Sequence, residues 1–130
     1  MIRMSVLLGC AALLATPSLA KRQDPDFELA KLLAGRSPGK PVDCLPLSRY
    51  SDTRTIGSTV AYRVASTWYV NRFSGGCPSL RPGNALVSRH NSSRICRGDI
   101  AQVVIPSAGV PLGSCVFDSF TPYTSPRKDK

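Results

Sequence analysis

Few residues of this chain have the types and spacing that catalysis or metal binding needs. The one histidine, His90, ends a β-prone run between Arg89 and Asn91. Imidazole is the usual proton carrier near neutral pH. Here no serine, thiol or carboxylate stands at a spacing that would give it a nucleophile to activate. Between Cys44 and Cys115 the only carboxylates are Asp52 and Asp99. A glycosidase-like acid pair would have to consist of those two. No catalytic residue and no cofactor is assigned, and a non-enzymatic role is expected.

The cysteines carry more information. Cys44, Cys77, Cys96 and Cys115 remain once an N-terminal leader is set aside. None of them has the short C-x-x-C spacing typical of zinc chelation, so no metal is assigned. An even set in an exported chain reads as two disulfides, with three pairings open. The expected pairing nests Cys77–Cys96 inside Cys44–Cys115, with Cys44 and Cys115 flanking the sheet at its two ends.

The chain has 17 lysines and arginines against 8 acids, a formal charge of +9. The kind of cation is more informative than the sum. Between Cys44 and Cys115 lie Arg49, Arg54, Arg63, Arg72, Arg81, Arg89, Arg94 and Arg97, and no lysine. Guanidinium groups pair in a planar, two-toothed way with carboxylates and phosphates. One reading makes them solvated strand positions that deter edge pairing. The other makes them contacts for an anionic envelope component, such as lipid head groups or an acidic polymer. Arg63 and Arg72, which flank the central hairpin, and Arg97 are the candidate anion-binding residues. Nucleic acid is not expected for an exported chain.

Residues 1–20 have the order of a signal peptide. A short basic start (Arg3) precedes the apolar run from Val6 to Leu14, and Ser18-Leu19-Ala20 supplies small residues for cleavage. The apolar run is too short to span a bilayer. The alternative is lipoprotein processing at Leu7-Leu8-Gly9-Cys10. Periplasmic or secreted placement follows, and no later segment reads as a membrane span.

The elements that must position these residues follow from periodicity. Residues 21–43 hold a helix and linker: Asp24 as cap, Pro25 in the first turn, Asp26 and Glu28 at the positive helix end. Phe27, Ala30 and Leu33 form a stripe with Leu29 and Leu32 beside it, and Gly35 is the stop. Residues 44–123 form a disulfide-stapled β domain, and residues 124–130 a disordered basic tail. The centre of that domain is Thr59 to Cys77, two alternating runs around Ala65 and Ser66. A three-residue loop at Ala65-Ser66-Thr67 would put Val60, Tyr62, Val64, Trp68 and Val70 on one buried face, leaving Thr59, Arg63 and Asn71 outside. Further strands are expected around Arg54-Thr55-Ile56, from Ala85 to His90, and from Ile100 to Ile105, the last of them central. Residues 106–114 read as a Pro/Gly loop, and Val116-Phe117 with Phe120 as a last short strand. The expected fold is small and mainly β: an antiparallel, partly open barrel or sandwich of five or six strands, with one N-terminal helix on it.

Three remaining signals are structural before they are functional. Arg97-Gly98-Asp99 reads as a turn in which Asp99 bonds back to backbone N–H groups. Asn91-Ser92-Ser93 is also a turn, and matches a glycosylation acceptor only where that machinery exists. The aromatics Tyr50, Tyr62, Trp68, Tyr69 and Phe73 read as cross-strand packing. Exposed, they would offer the alternative function of an accessory or inhibitor subunit that binds a periplasmic protein.

Several runs, in this order, resemble a family of small exported alphaproteobacterial proteins, typical of sphingomonads, of unknown function. They are Gly39-Lys40-Pro41-Val42-Asp43-Cys44, Tyr62-Arg63-Val64, Tyr69-Val70-Asn71-Arg72, Gly76-Cys77-Pro78-Ser79-Leu80, Ile95-Cys96-Arg97-Gly98-Asp99 and Gly113-Ser114-Cys115. The resemblance covers about residues 29–123. It implies export and four paired cysteines, and it brings no catalytic residues. Ser66 departs from the pattern, standing in the hairpin where glycine is expected.

Overall fold

A computed structural model describes residues 24–89 and 92–127. The leader, the Cys10 alternative, His90, Asn91 and the last three residues lie outside that range.

One helix precedes ten short strands. The helix, α1, is Pro25–Leu32. The strands are β1 (Ser37–Pro38), β2 (Cys44–Pro46), β3 (Tyr50–Ile56), β4 (Thr59–Val64), β5 (Thr67–Asn71), β6 (Ala85–Ser88), β7 (Arg94–Cys96), β8 (Ile100–Ile105), β9 (Val110–Val116) and β10 (Thr121–Thr124), with a 3-10 turn at Leu47–Arg49. They form three antiparallel sheets, ordered β1-β10-β5-β4-β3, β2-β7 and β6-β8-β9. Isolated bridges from Val42 to Phe120 and from Ser74 to Val116 tie the sheets together. The sheets do not close into a barrel. The chain is thus mainly β with one helix and two disulfides, as expected, and β8 is the centre of its sheet. The described residues hold ten strands rather than five or six, three of them only two or three residues long.

The helix starts as the sequence dictates: Asp24 Oδ1 accepts from the Asp26 N–H at 3.0 Å, and Pro25 occupies the first turn. Its buried face differs from the expected stripe. Leu29 is buried, with Leu32 and Leu33 partly so, whereas Phe27 is 65% exposed. An eight-residue helix has room for one docking row, and Leu29 sets it.

The central hairpin corrects the expected register. β4 and β5 pair Val64 with Thr67, Arg63 with Trp68, Tyr62 with Tyr69, and Val60 with Asn71. The loop is therefore the two residues Ala65-Ser66. Ala65 takes the left-handed φ of 53° that such a loop needs. Arg36 holds the loop down by donating from Nη1 to the Ser66 carbonyl and, at 3.4 Å, to that of Tyr123. The face-mixing that argued against this register is the solution adopted, because both faces of the hairpin are covered. Val60, Tyr62 and Phe73 join Leu45, Leu80, Ile95, Ala101, Val103, Phe117 and Phe120 in the core between the sheets. Ala61, Trp68 and Val70 lie on the other face beneath Leu29 of α1. Asn71 is fully buried rather than solvent-facing.

The disulfides are Cys44–Cys96 and Cys77–Cys115, which corrects the nested pairing. The nested scheme placed Cys44 and Cys115 at the ends of one sheet. Instead β2 pairs with the distant β7, setting Cys44 directly opposite Cys96. Loops of 52 and 38 residues are closed, each worth about 4 kcal/mol in the chain-entropy account.

Residues 106–114 are not wholly loop, since β9 begins at Val110. Pro111 is accommodated where the β8–β9 register shifts, next to Val104. Gly113 lets β9 approach its neighbour, as a Cβ there would lie 2.7 Å from Ser79 Oγ. Thr124, placed with the tail by the sequence, is the last residue of β10.

Candidate functional site

The rows of paired residues across the sheet locate every candidate side chain. One end row runs Tyr50–Val64–Thr67, and the row at the far end runs Thr55–Val60–Asn71. Arg63 therefore sits near the hairpin loop, and Arg72 follows β5 at the other end, about 13 Å away at a strand's rise per residue. The structure does not bring the pair together.

Their states differ as well. The Arg63 guanidinium lies 5.7 Å from the centroid of Trp68, and its Nε donates to Ser51 Oγ at 3.3 Å. It is half-buried and engaged. Arg97 Nε lies 3.6 Å from Asp118 Oδ1. Arg72 is exposed and has no acidic partner among the described residues.

The acids of the β domain are used locally. Asp52 accepts from the Thr53 N–H at 2.8 Å and from Arg54 Nε at 3.2 Å. Asp99 Oδ2 accepts from the Cys96 N–H at 2.8 Å, with Gly98 at φ +89°, so the Arg97-Gly98-Asp99 run is the expected turn. Asp52 lies on β3, whereas Asp99 closes the turn before β8. Among the described residues no three of His, Cys, Asp and Glu gather as metal ligands.

The arginines that stand together were not singled out by the sequence. Arg94 opens β7 opposite Pro46, Arg49 ends the 3-10 turn that follows, and the Leu47 N–H donates to the Ser93 carbonyl at 2.8 Å. Arg89 follows β6 and lines, with Val87, Ile100, Gln102 and Ser114, a separate hollow on the β6-β8-β9 sheet. All three are exposed, and none has a carboxylate partner among the described residues. Acids mark the other end: Asp24, Asp26 and Glu28 all fall at the start of α1, and Pro25 sits over Gly57 of the β3–β4 turn. The seven residues of β3 separate Arg49 from Gly57 by about 26 Å at a strand's rise per residue. The Gly57 end carries both signs of charge, because Arg81 lines a hollow with Asp24 and Glu28 and Arg72 follows β5 there.

A cleft of about 290 Å³ opens between β3 and β6, both outermost in their sheets, reaching Leu47 and Ile95. Thr53, Thr55 and Ser88 bring hydroxyls to it, and Tyr50 and Tyr62 meet edge to face with centroids 5.6 Å apart. Burial, and then the neighbouring Tyr50, push the Tyr62 phenol well above the ordinary tyrosine range. It stays protonated, able to donate a hydrogen bond. Of the five aromatics read from the sequence only Tyr50 is exposed, at 42%; Tyr62, Trp68 and Phe73 are buried.

Comparison with protein-family models, with curated proteins and with solved structures finds no match. No helix among the described residues is long and apolar enough to cross a membrane.

Proposed function

We propose that this chain is an exported, non-enzymatic binding module, periplasmic or secreted, that engages an anionic group of the cell envelope through its surface arginines. The observation that supports it is the exposure of Arg49, Arg89 and Arg94 without a carboxylate partner among the described residues. Such a group keeps its field available to a ligand, and guanidinium geometry suits phosphate and carboxylate alike. The two disulfides favour an oxidising compartment. Membership of the exported alphaproteobacterial group belongs to the same proposal. Arg72 is a further contact, while Arg63 and Arg97 contribute charge from engaged positions.

The test is binding to vesicles containing anionic phospholipid and to a soluble acidic polymer, each against a neutral control at low and high salt. The triple variant Arg49→Glu, Arg89→Glu, Arg94→Glu should lose salt-sensitive binding, and Arg72→Glu should weaken it less. Equal binding to neutral and anionic surfaces would overturn the proposal. The alternative, a protein partner held by the aromatic hairpin, has Tyr50 as its exposed anchor and predicts capture that survives high salt.

A further inference from the structure

The seven-residue strand β3 forms one edge of the largest sheet. It pairs only with β4, and its other edge has no strand partner among the described residues. The β3–β4 turn has two residues, so Ile56 and Thr59 form its hydrogen-bonded closing pair. Alternation along the ladder then turns the backbone groups of Ile56, Arg54 and Asp52 toward β4, and those of Thr55 and Thr53 outward. A separate observation agrees. The Thr53 N–H is covered by the Asp52 carboxylate at 2.8 Å rather than by a strand.

We propose that two copies of this chain pair antiparallel along β3, about a two-fold axis through Thr53. That register sets Thr53 opposite itself and Asp52 opposite Arg54, and the irregularity between Tyr50 and Asp52 ends the regular ladder beyond them. An isologous contact needs a self-complementary surface, and Asp52-Thr53-Arg54, in the regular part of β3, is one in charge. Opposite charges directly across a ladder stabilise it, and like charges oppose it. In the single copy Asp52 and Arg54 already attract each other along the strand, at 3.2 Å. In the pair each exchanges that partner for its counterpart across the axis. The carboxylate leaves the Thr53 N–H, which then donates to the Thr53 carbonyl of the other copy. Both residues share the sheet face that carries Ala61, the α1 side, so the exchange proceeds on one open face. The five-stranded sheet becomes a continuous ten-stranded one.

The experiment is sedimentation equilibrium of the oxidised chain over a wide concentration range, with two single charge reversals. Asp52→Arg places arginine opposite arginine across the axis, and Arg54→Asp places aspartate opposite aspartate. Each should weaken self-association roughly tenfold or more. Mixing the two variants should restore a dimer, because each then meets its complement. The unfolding midpoint of each variant, measured alongside, shows that it is folded. A chain that stays monomeric at every concentration overturns the proposal, even if it captures an extended peptide. So does a dimer indifferent to both reversals, or a mixture that fails to recover.

Discussion

The buried amide of Asn71 holds the backbone of Asp118 in both directions. Its Nδ2 donates to the Asp118 carbonyl at 2.6 Å, and its Oδ1 accepts from the Asp118 N–H at 3.3 Å. The same oxygen accepts from the Phe73 N–H at 2.9 Å. One side chain thereby satisfies the end of β5 and the segment between β9 and β10. Asn71→Leu keeps the volume but strands three polar groups. Each unsatisfied buried group costs about 1–3 kcal/mol, so urea unfolding should show a loss of roughly 3 kcal/mol or more. Unchanged stability would mean that water replaces the amide.

Disulfide mapping gives a direct check on the pairing. Non-reducing digestion should release Cys44 joined to Cys96 and Cys77 joined to Cys115. Replacing either pair by serine should lower stability by about 4 kcal/mol in the chain-entropy account. The two losses should be similar, because the closed loops are of similar length.

Trp68, the single tryptophan, reports on the helix. It lies with Leu29 in the small core between α1 and the sheet. Leu29→Ala should cost about 2–4 kcal/mol and shift the Trp68 emission to the red. Gly57→Ala should act on the same contact. Gly57 has a φ of +57°, and a Cβ there would meet the Pro25 Cβ at 2.9 Å. Gly35→Ala, with a φ of +70° and open space around it, should cost backbone strain alone and leave the emission unchanged.

Tyr62 carries a pH dependence whose sign is fixed by its burial. The phenol ionises less readily in the folded chain than in the unfolded one, whose ordinary value is 10.0. Its contribution is therefore complete below pH 10 and is lost as pH rises toward the folded value. Tyr62→Phe should flatten the alkaline limb of a stability–pH curve. A wild-type curve that matches the variant above pH 10 would remove the effect.

How much of this was legible in the sequence depended on range. The Asp24 cap, the Gly98–Asp99 turn and the bounds of β8 are local, and the chain states them outright. The hairpin register was misread because alternation reveals faces only when one of them is dry. Here α1 covers the second face, and nothing near Trp68 says so. The cysteine pairing failed for a related reason, since β2 meets a strand some fifty residues away. Arg49 and Arg94 were visible as residues, yet only that same pairing brings them near each other. Their signal was a surplus of arginine without lysine.

The position of β10 has a bearing on biogenesis. The last of the described strands lies inside the largest sheet, with Ser37–Pro38 on one side and Thr67–Asn71 on the other. Until Thr121–Thr124 arrives, the hairpin lacks a neighbour and the segment below the helix has nowhere to anchor. Assembly of that sheet must await Thr121–Thr124, so the order in which its five strands meet is not the order in which the chain presents them.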